Sequence, residues 1–579
     1  MRRISVSFIL HCLVFLIPVN ICAIGIPKGA PEGIGAWAGA CIQWPLVQYL
    51  ETFMGTSLIS VSSYIRYLAD GDITGMSALS LLVWIVAAGL LIGSFIAGCA
   101  SLVRNGHEFI RVSSLMILSC GILFAISDLI QYGLFFHGPA GFCIPVGIPV
   151  ILYIGWMTYR LAPSREDLPL TQPATLRERC IRELPLLVLI LVVIKVIVLS
   201  VTLYHVMVQN NVDLSLYHSY ITQAFAGKIP YVDYNIEYPQ FFLIPVFLAA
   251  VPTLLVPDHS VFVIAHIVLM CLFDIGVLAG VYLIAARLFG NDRAFACGLL
   301  YATAFFSSFA GAFSFDIVPT FFLVSAVALF LYRNEIPACL MAACGFLTKW
   351  FPAACLPFFY LFSIKNGQDT SPVKKGIVLS CILVLLCVLP FMLLNREGFL
   401  FAYVAQMGRS SEVHSLVYYL DVVTKTVTGL QLFGALSLVL LAIIEGALLY
   451  WYYRYASKKP LVLCYSIFFS VFAFILLNRA LTPFFIIWIV PFLALFLATA
   501  YRQVILFYAI QLIMFLECPV LQSIVYAGGT PYGIPDVQFL FYSVKFLLFF
   551  VLLGVLVTGM NRPAALPKKK RKSRSSRGS

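Results

Sequence analysis

The chain has 579 residues, of which 62% are hydrophobic and only 11% charged, and its mean hydropathy is +0.99. Soluble domains carry about 25% charged residues, so an ordinary soluble enzyme is excluded. The net charge of +12 does not signal nucleic acid, because the basic run Lys568, Lys569, Lys570, Arg571, Lys572, Arg574, Arg577 directly follows an apolar stretch. It reads as a cytoplasmic stop signal that touches anionic membrane lipid.

In chain order, residues 1–24 begin with Arg2 and Arg3 and then run apolar to Ile24. They fit a signal peptide or a retained first transmembrane helix, and both place residues 25–75 outside. Residues 76–180 form an N-terminal membrane module with apolar stretches at 76–103 and 112–136. A spanning helix needs roughly 20 apolar residues. The polar stretch 162–182 marks the best internal boundary. Residues 181–560 make up a second, larger membrane core, with apolar runs at 184–207, 376–394, 430–452 and 538–560. Residues 561–579 are the basic tail. The 16 cysteines lie mostly inside apolar runs and lack the spacing of a zinc site or a disulfide framework, so they read as small buried hydrophobes.

Lys and Arg are enriched in cytoplasmic loops. Arg104 and Arg111, the cluster from Arg160 to Arg182, Arg287 and Arg293, Arg333, Lys365 to Lys375, Arg454 to Lys459, and Arg502 therefore mark the inside. Loops 25–75, 208–238, 396–428 and 523–536 are placed outside. The expected fold is an all-α, polytopic transmembrane helical bundle with short external loop helices and about 13–17 spans. One stretch breaks the alternation. Either 239–256, with Pro245, Pro252 and Pro257, is re-entrant or interfacial, or the rule fails at Arg287 and Arg333. Residues 336–364, interrupted by Lys349 and Pro352, read as two short helices meeting at the outer face.

The external loop VQNNVDLSLYHSYITQAFAGKIPYVDYNIEYP concentrates acids and aromatics. Loops on a rigid scaffold often carry function. A helix over 212–226 would put Asp213 and Tyr217 on one face, with Gly227 ending it. His218, Asp233, Glu237 and Tyr238 complete the polar inventory of this loop. Cations at the membrane boundary are costly, which makes Lys349, Arg409 and Arg479 functional candidates against a simple snorkelling role. Asp316 begins an apolar run and either positions a ligand hydroxyl or caps the helix at 317. Lys195 and Lys545, inside apolar runs, read as snorkelling or helix-pairing groups.

The run from Asp213 through Tyr217, Gly227, "IPYVDY" and "EYP" resembles the first external loop of the GT-C superfamily of membrane glycosyltransferases. It is most similar to the polyprenyl-phosphate-mannose-dependent mannosyltransferases. "SFDIVPTFFLVSAVALFLYRN", "GFLTKWFPAACLPFF" and "NRALTPFFIIWIVPFLAL" resemble later blocks of that family in the same order. The resemblance implies a hexosyltransferase working on the extracytoplasmic face of the cell membrane. A polyprenyl-phosphate sugar would be donor, and a glycan or glycolipid acceptor. Asp213 matches the position of the general base. Tyr217, His218, Asp233, Glu237, Tyr238, Asp316, Lys349, Arg409 and Arg479 would contact substrates. Gln240 departs from the family's "EYPP". Asp213 stands apart from the loop's other acids, which argues against a metal while leaving a divalent ion open, and no other cofactor is implied. A transporter or flippase of lipid-linked sugars is the alternative, kept by Asp128, Asp274 and Glu445 within apolar runs. A non-catalytic scaffold would tolerate loss of every acid named.

Overall fold

The computed structural model describes residues 10, 13–25, 37–52, 55–71, 73–104, 107–133, 137–138, 141–161, 175–208, 212–409, 411–430, 432–498, 500–521 and 535–560. The basic tail lies outside the described residues, as do residues 1–9 and most of the polar boundary 162–182.

Leu10, Val14, Ile17 and Val19 are buried against the N-terminal helices and lead into strand β1 (Asn20–Gly25). β1 lies inside a six-stranded antiparallel sheet with β2 (Trp37–Gln43), β3 (Val47–Thr52), β4 (Gly55–Ser60), β5 (His137–Gly138) and β6 (Gly141–Ile144). The strand order is β4-β3-β2-β1-β6-β5. The register sets Cys22 opposite Cys41 on one side and Cys143 on the other. Directly paired residues project to the same face of a sheet, and these three cysteines form one small buried cluster. This sheet is an addition to the expected all-helical bundle. Its strands are short and rich in Gly, Ala, Ser and Cys, so hydropathy marks most of them only as loop.

Helix α1 (Val61–Ala69) leaves the sheet, and α2 (Gly75–Arg104), α3 (His107–Tyr132) and α4 (Ile148–Leu161) pack side by side beside it. α5 (Leu176–Val208) is a shared wall. Its Leu189 and Val193 join the N-terminal core, while Leu187 and Leu191 join the larger core.

The larger core continues through α6 (Val212–Phe225), α7 (Leu243–Ala250), α8 (His259–Phe289), α9 (Asn291–Ala302), α10 (Phe305–Phe313) and α11 (Ile317–Leu331). It is completed by α12 (Glu335–Phe346), α13 (Cys355–Lys365), α14 (Ser371–Leu394), α15 (Arg396–Gly408) and α16 (Leu416–Thr428). The last helices are α17 (Phe433–Arg454), α18 (Pro460–Leu476), α19 (Val490–Leu497), α20 (Tyr501–Phe515) and α21 (Pro535–Met560). Gly276 and Gly280, four apart on α8, let α11 come close. A Cβ on either would meet Phe321 or Val324 at 2.5 Å. Small residues at this spacing are a membrane-helix packing device. Phenylalanine rings lock other contacts, as where Phe330 of α11 stacks on Phe359 of α13 at 4.1 Å.

Among the described residues seven helices are long and apolar enough to cross a membrane, or eight if the bent pair Arg293–Ala302 and Phe305–Phe313 counts as one span. The chain is a multi-pass, helical membrane protein. α14 and α17 expose Leu385, Leu386, Leu393, Leu438, Val439 and Ile443 along their length, surfaces that suit lipid rather than water. Other apolar runs, which the expected 13–17 spans include, divide into shorter helices among the described residues. Gln240–Leu254, Ile317–Leu331, Glu335–Phe346, Phe351–Lys365 and Pro460–Leu476 are all of this kind. Residues 239–256 form two 3₁₀ turns around α7. At about 1.5 Å per residue that run is too short to cross a core about 30 Å thick. This agrees with the re-entrant or interfacial reading.

Candidate active site

α6 ends at Phe225, and Gly227 turns the chain with φ +86°, its N–H bonding to Ala224. Only glycine adopts this conformation without strain. The following loop is tied down by its tyrosines. Tyr231 donates to the Tyr238 carbonyl and Tyr234 to the Tyr220 carbonyl, both at 2.7 Å. Asn395 donates to the Val232 carbonyl at 2.9 Å. Gly398 lets α15 pass the same loop, since a Cβ there would sit 2.2 Å from the Tyr231 carbonyl oxygen. The Phe241 N–H donates to the Leu347 carbonyl at 2.8 Å, which joins this loop to the break between α12 and α13.

That break carries Lys349. Its ammonium sits on Asp316 Oδ1 and faces the rings of Phe315, Phe485 and Trp488 at 5.1, 4.1 and 4.9 Å. Ser314 Oγ donates to Asp316 Oδ2 at 2.6 Å, and Trp488 Nε1 donates to Oδ1 at 2.9 Å. Asp316 stands at the N-cap position of α11, yet its side chain makes no capping bond. The capping reading is therefore corrected: the carboxylate turns to Lys349. An ammonium has three donors, so Asp316 leaves part of this cation available to a second anion. Cation–π contact with three rings holds it in place.

Asp213, in the first turn of α6, is near enough to Asp316 and Lys349 for their charges to act on it. Burial raises its carboxyl above the ordinary range, and so do the charges of Asp316 and Glu237. Lys349 and Arg409 pull the other way without cancelling this. Arg409 reaches Glu237 at 3.5 Å across a partly exposed rim. Asp213, Glu237, Asp316, Lys349 and Arg409 thus share one electrostatic cluster. Tyr217 is fully buried next to it, edge-on to Phe242, Phe315 and Tyr238 at 5.0 to 6.0 Å. Tyr217 and Tyr238 wall the cluster.

Three expected contacts fall elsewhere. His218 turns away from Asp213: its Nδ1 lies 3.1 Å from His259 Nδ1 and its ring stacks on Phe262. Each residue along a helix rotates the side chain by about 100°, so His218, five residues on, stands about 140° round from Asp213 and off its face. The Asp233 carboxylate accepts the Ile229 N–H at 2.6 Å and closes its own turn. Arg479 lies toward the α16–α17 side, next to Glu412 and Gly434. Its carbonyl accepts from Glu412, and its Cδ is 3.7 Å from where a Gly434 Cβ would be. Gly434 and Phe433 donate to the buried Asp421 carboxylate.

Trp488, Phe485, Glu517 and Tyr542 were not singled out from the sequence. Trp488 and Phe485 lie inside the quoted block "NRALTPFFIIWIVPFLAL", where a charge-led reading stops at Arg479. Glu412, raised by burial, is near Arg409, His414 and Asp213 in charge. Glu517 is fully buried, bonded to Lys545 at 2.8 Å and to His414 at 2.9 Å, with Tyr542 2.9 Å from the same imidazole. Lys195 and Asp274 pair at 2.7 Å, and Tyr301 donates to Asp274. Both lysines inside apolar runs therefore pair helices. Among the described residues no group of three or more His, Cys, Asp or Glu is arranged to hold a metal ion.

Fold and cluster together define a multi-pass helical membrane protein with a carboxylate and a cation gathered at helix breaks. Comparison of the chain with protein-family models, curated proteins and solved structures returns no match.

Proposed function

We propose that the chain is an integral membrane glycosyltransferase. It moves a hexose, with mannose favoured, from a polyprenyl-phosphate carrier to an acceptor hydroxyl on the extracytoplasmic face. The cell membrane holds it, with the basic tail in the cytoplasm. The observation that carries this reading is the pair of ion contacts Asp316–Lys349 and Glu237–Arg409 at helix breaks, near enough for their charges to act on Asp213. The order of the four motifs supports it.

In this mechanism Asp213 takes the proton of the acceptor hydroxyl as that oxygen attacks the anomeric carbon. The bond from that carbon to the phosphate oxygen breaks, and the polyprenyl phosphate leaves with the electron pair, inverting the anomeric centre. In its ionised form a raised carboxyl is a better proton acceptor than an ordinary one. Lys349 and Arg409 meet the charge that grows on the leaving phosphate. Asp316, Ser314 and Trp488 keep Lys349 oriented. The walls of Tyr217 and Tyr238 exclude water from the attacking oxygen.

Comparing lipid-linked glycans and glycolipids of cells with and without the protein tests this. The expected result is one missing sugar and accumulation of its polyprenyl-phosphate donor. Unchanged glycans and an unchanged donor pool would overturn the reading.

A second reading, transport of lipid-linked sugars, is favoured by the buried Lys195–Asp274 pair on α5 and α8. Ionisable pairs within spans often mark transport paths. It predicts unsupplied glycans together with full transfer activity in opened membranes.

A further inference from the structure

A cavity lies apart from the Asp213 cluster, between the sheet and the ends of α2 and α3. Its volume is about 280 Å³. Its wall includes Gln43, Gln48, Gln131, Asp128, Trp44 and Trp84. The lining contains no Lys, Arg or His, so nothing there recognises phosphate. Three carboxamides each offer donors and an acceptor, which matches hydroxyl groups that both give and take hydrogen bonds. The two indoles supply apolar faces with a polar edge.

The lining is organised from behind. Asn20, fully buried on β1, donates to Asp128 Oδ1 at 2.6 Å and to Gln43 Oε1 at 2.9 Å. Gln43 donates to Gln48 at 3.2 Å. Ser80 and Ser127 bond each other across α2 and α3. This network fixes the side chains before any ligand arrives. One group is left over. Asp128 is 2% exposed, and among the described residues its Oδ2 has no partner. A buried carboxylate oxygen without a hydrogen bond is costly, and a membrane helix seldom carries an acid without use. The cavity is small beside the roughly 300–1,000 Å³ of typical ligand pockets, so one ring fits and a chain of rings does not.

We propose that this cavity binds a single neutral saccharide ring, with a hydroxyl donating to Asp128 Oδ2, the glutamines meeting neighbouring hydroxyls and a tryptophan covering a C–H face. The assignment is independent of the proposed transferase reaction. It gives the N-terminal module a recognition role.

The test uses the full chain in phosphatidylcholine nanodiscs and saturation-transfer NMR with methyl α-mannoside, methyl β-glucoside, tetramethylammonium and inorganic phosphate. The expected result is saturable binding of at least one methyl glycoside with Kd of about 0.1–10 mM. Gln131→Ala, and Ser77→Trp at the exposed rim, should each weaken it tenfold or more. Equal thermal unfolding of the variants and wild type shows that they fold. Absence of glycoside binding, or glycoside binding that both rim and wall variants preserve, would overturn the proposal. Preferential binding of tetramethylammonium would replace the sugar with a cationic headgroup and overturn it equally.

Discussion

Asp213 owes its raised carboxyl first to burial and then to the neighbouring charges of Asp316 and Glu237. The sign of the pH dependence follows. A base works only when ionised, so transfer should rise with pH through an inflection above the usual aspartate range of about 3.9. Glu237→Gln removes one like charge and frees Arg409, and both changes favour the ionised form. Its inflection should move to lower pH. An inflection that stays in place would show that Glu237 does not act on Asp213. At this scale the charged residues were legible because Lys349 and Asp316 stand out in apolar sequence. Their partners were not. Trp488 is distant in the chain and is brought to Asp316 only by the packing of α11 against the 3₁₀ turn Pro483–Trp488. His218 and Asp233 share one external loop with Asp213 in the sequence, and helix rotation and turn closure carry them away from it.

Two devices hold the elements together, and each gives a prediction. Gly280→Leu would drive a side chain into Val324, because a Cβ alone already falls 2.5 Å from Val324 Cγ1. Overpacking of this kind costs about 1–3 kcal/mol, read as a lower unfolding temperature in detergent. Lys195→Met strands Asp274 with only Tyr301 described as its hydrogen-bond partner. Breaking a buried pair costs about 3–5 kcal/mol, and replacing both charges recovers much of it. Lys195→Met should therefore unfold at lower temperature than Lys195→Met with Asp274→Asn. Equal losses would mean that the pair adds no coupling. Most helices were legible from apolar length, and the α6 helix with its glycine stop came from periodicity and turn chemistry. The sheet was not legible. Its strands pair across long separations, with β1 beside β6, and no local pattern announces such a pairing.

At the scale of the whole molecule, the seven long apolar helices establish a membrane protein, while its orientation belongs to the proposed function. A cysteine replacing Gly227 should react with an impermeant thiol reagent added from outside. Reaction only after permeabilisation would invert the scheme. Hydropathy sums apolar residues without seeing the breaks that divide a run into shorter helices. Asp316 before α11 and Lys349 between α12 and α13 divide such runs, and the candidate site lies at those breaks.

The most direct measurement supplies membranes with labelled polyprenyl-phosphate mannose and compares wild type with Asp213→Asn at equal protein level. Wild type should transfer the label to an acceptor, and the variant should fall by about 10²–10⁴-fold, the usual worth of a general base. Full transfer by Asp213→Asn, or none by wild type with any polyprenyl-phosphate hexose, would contradict the account.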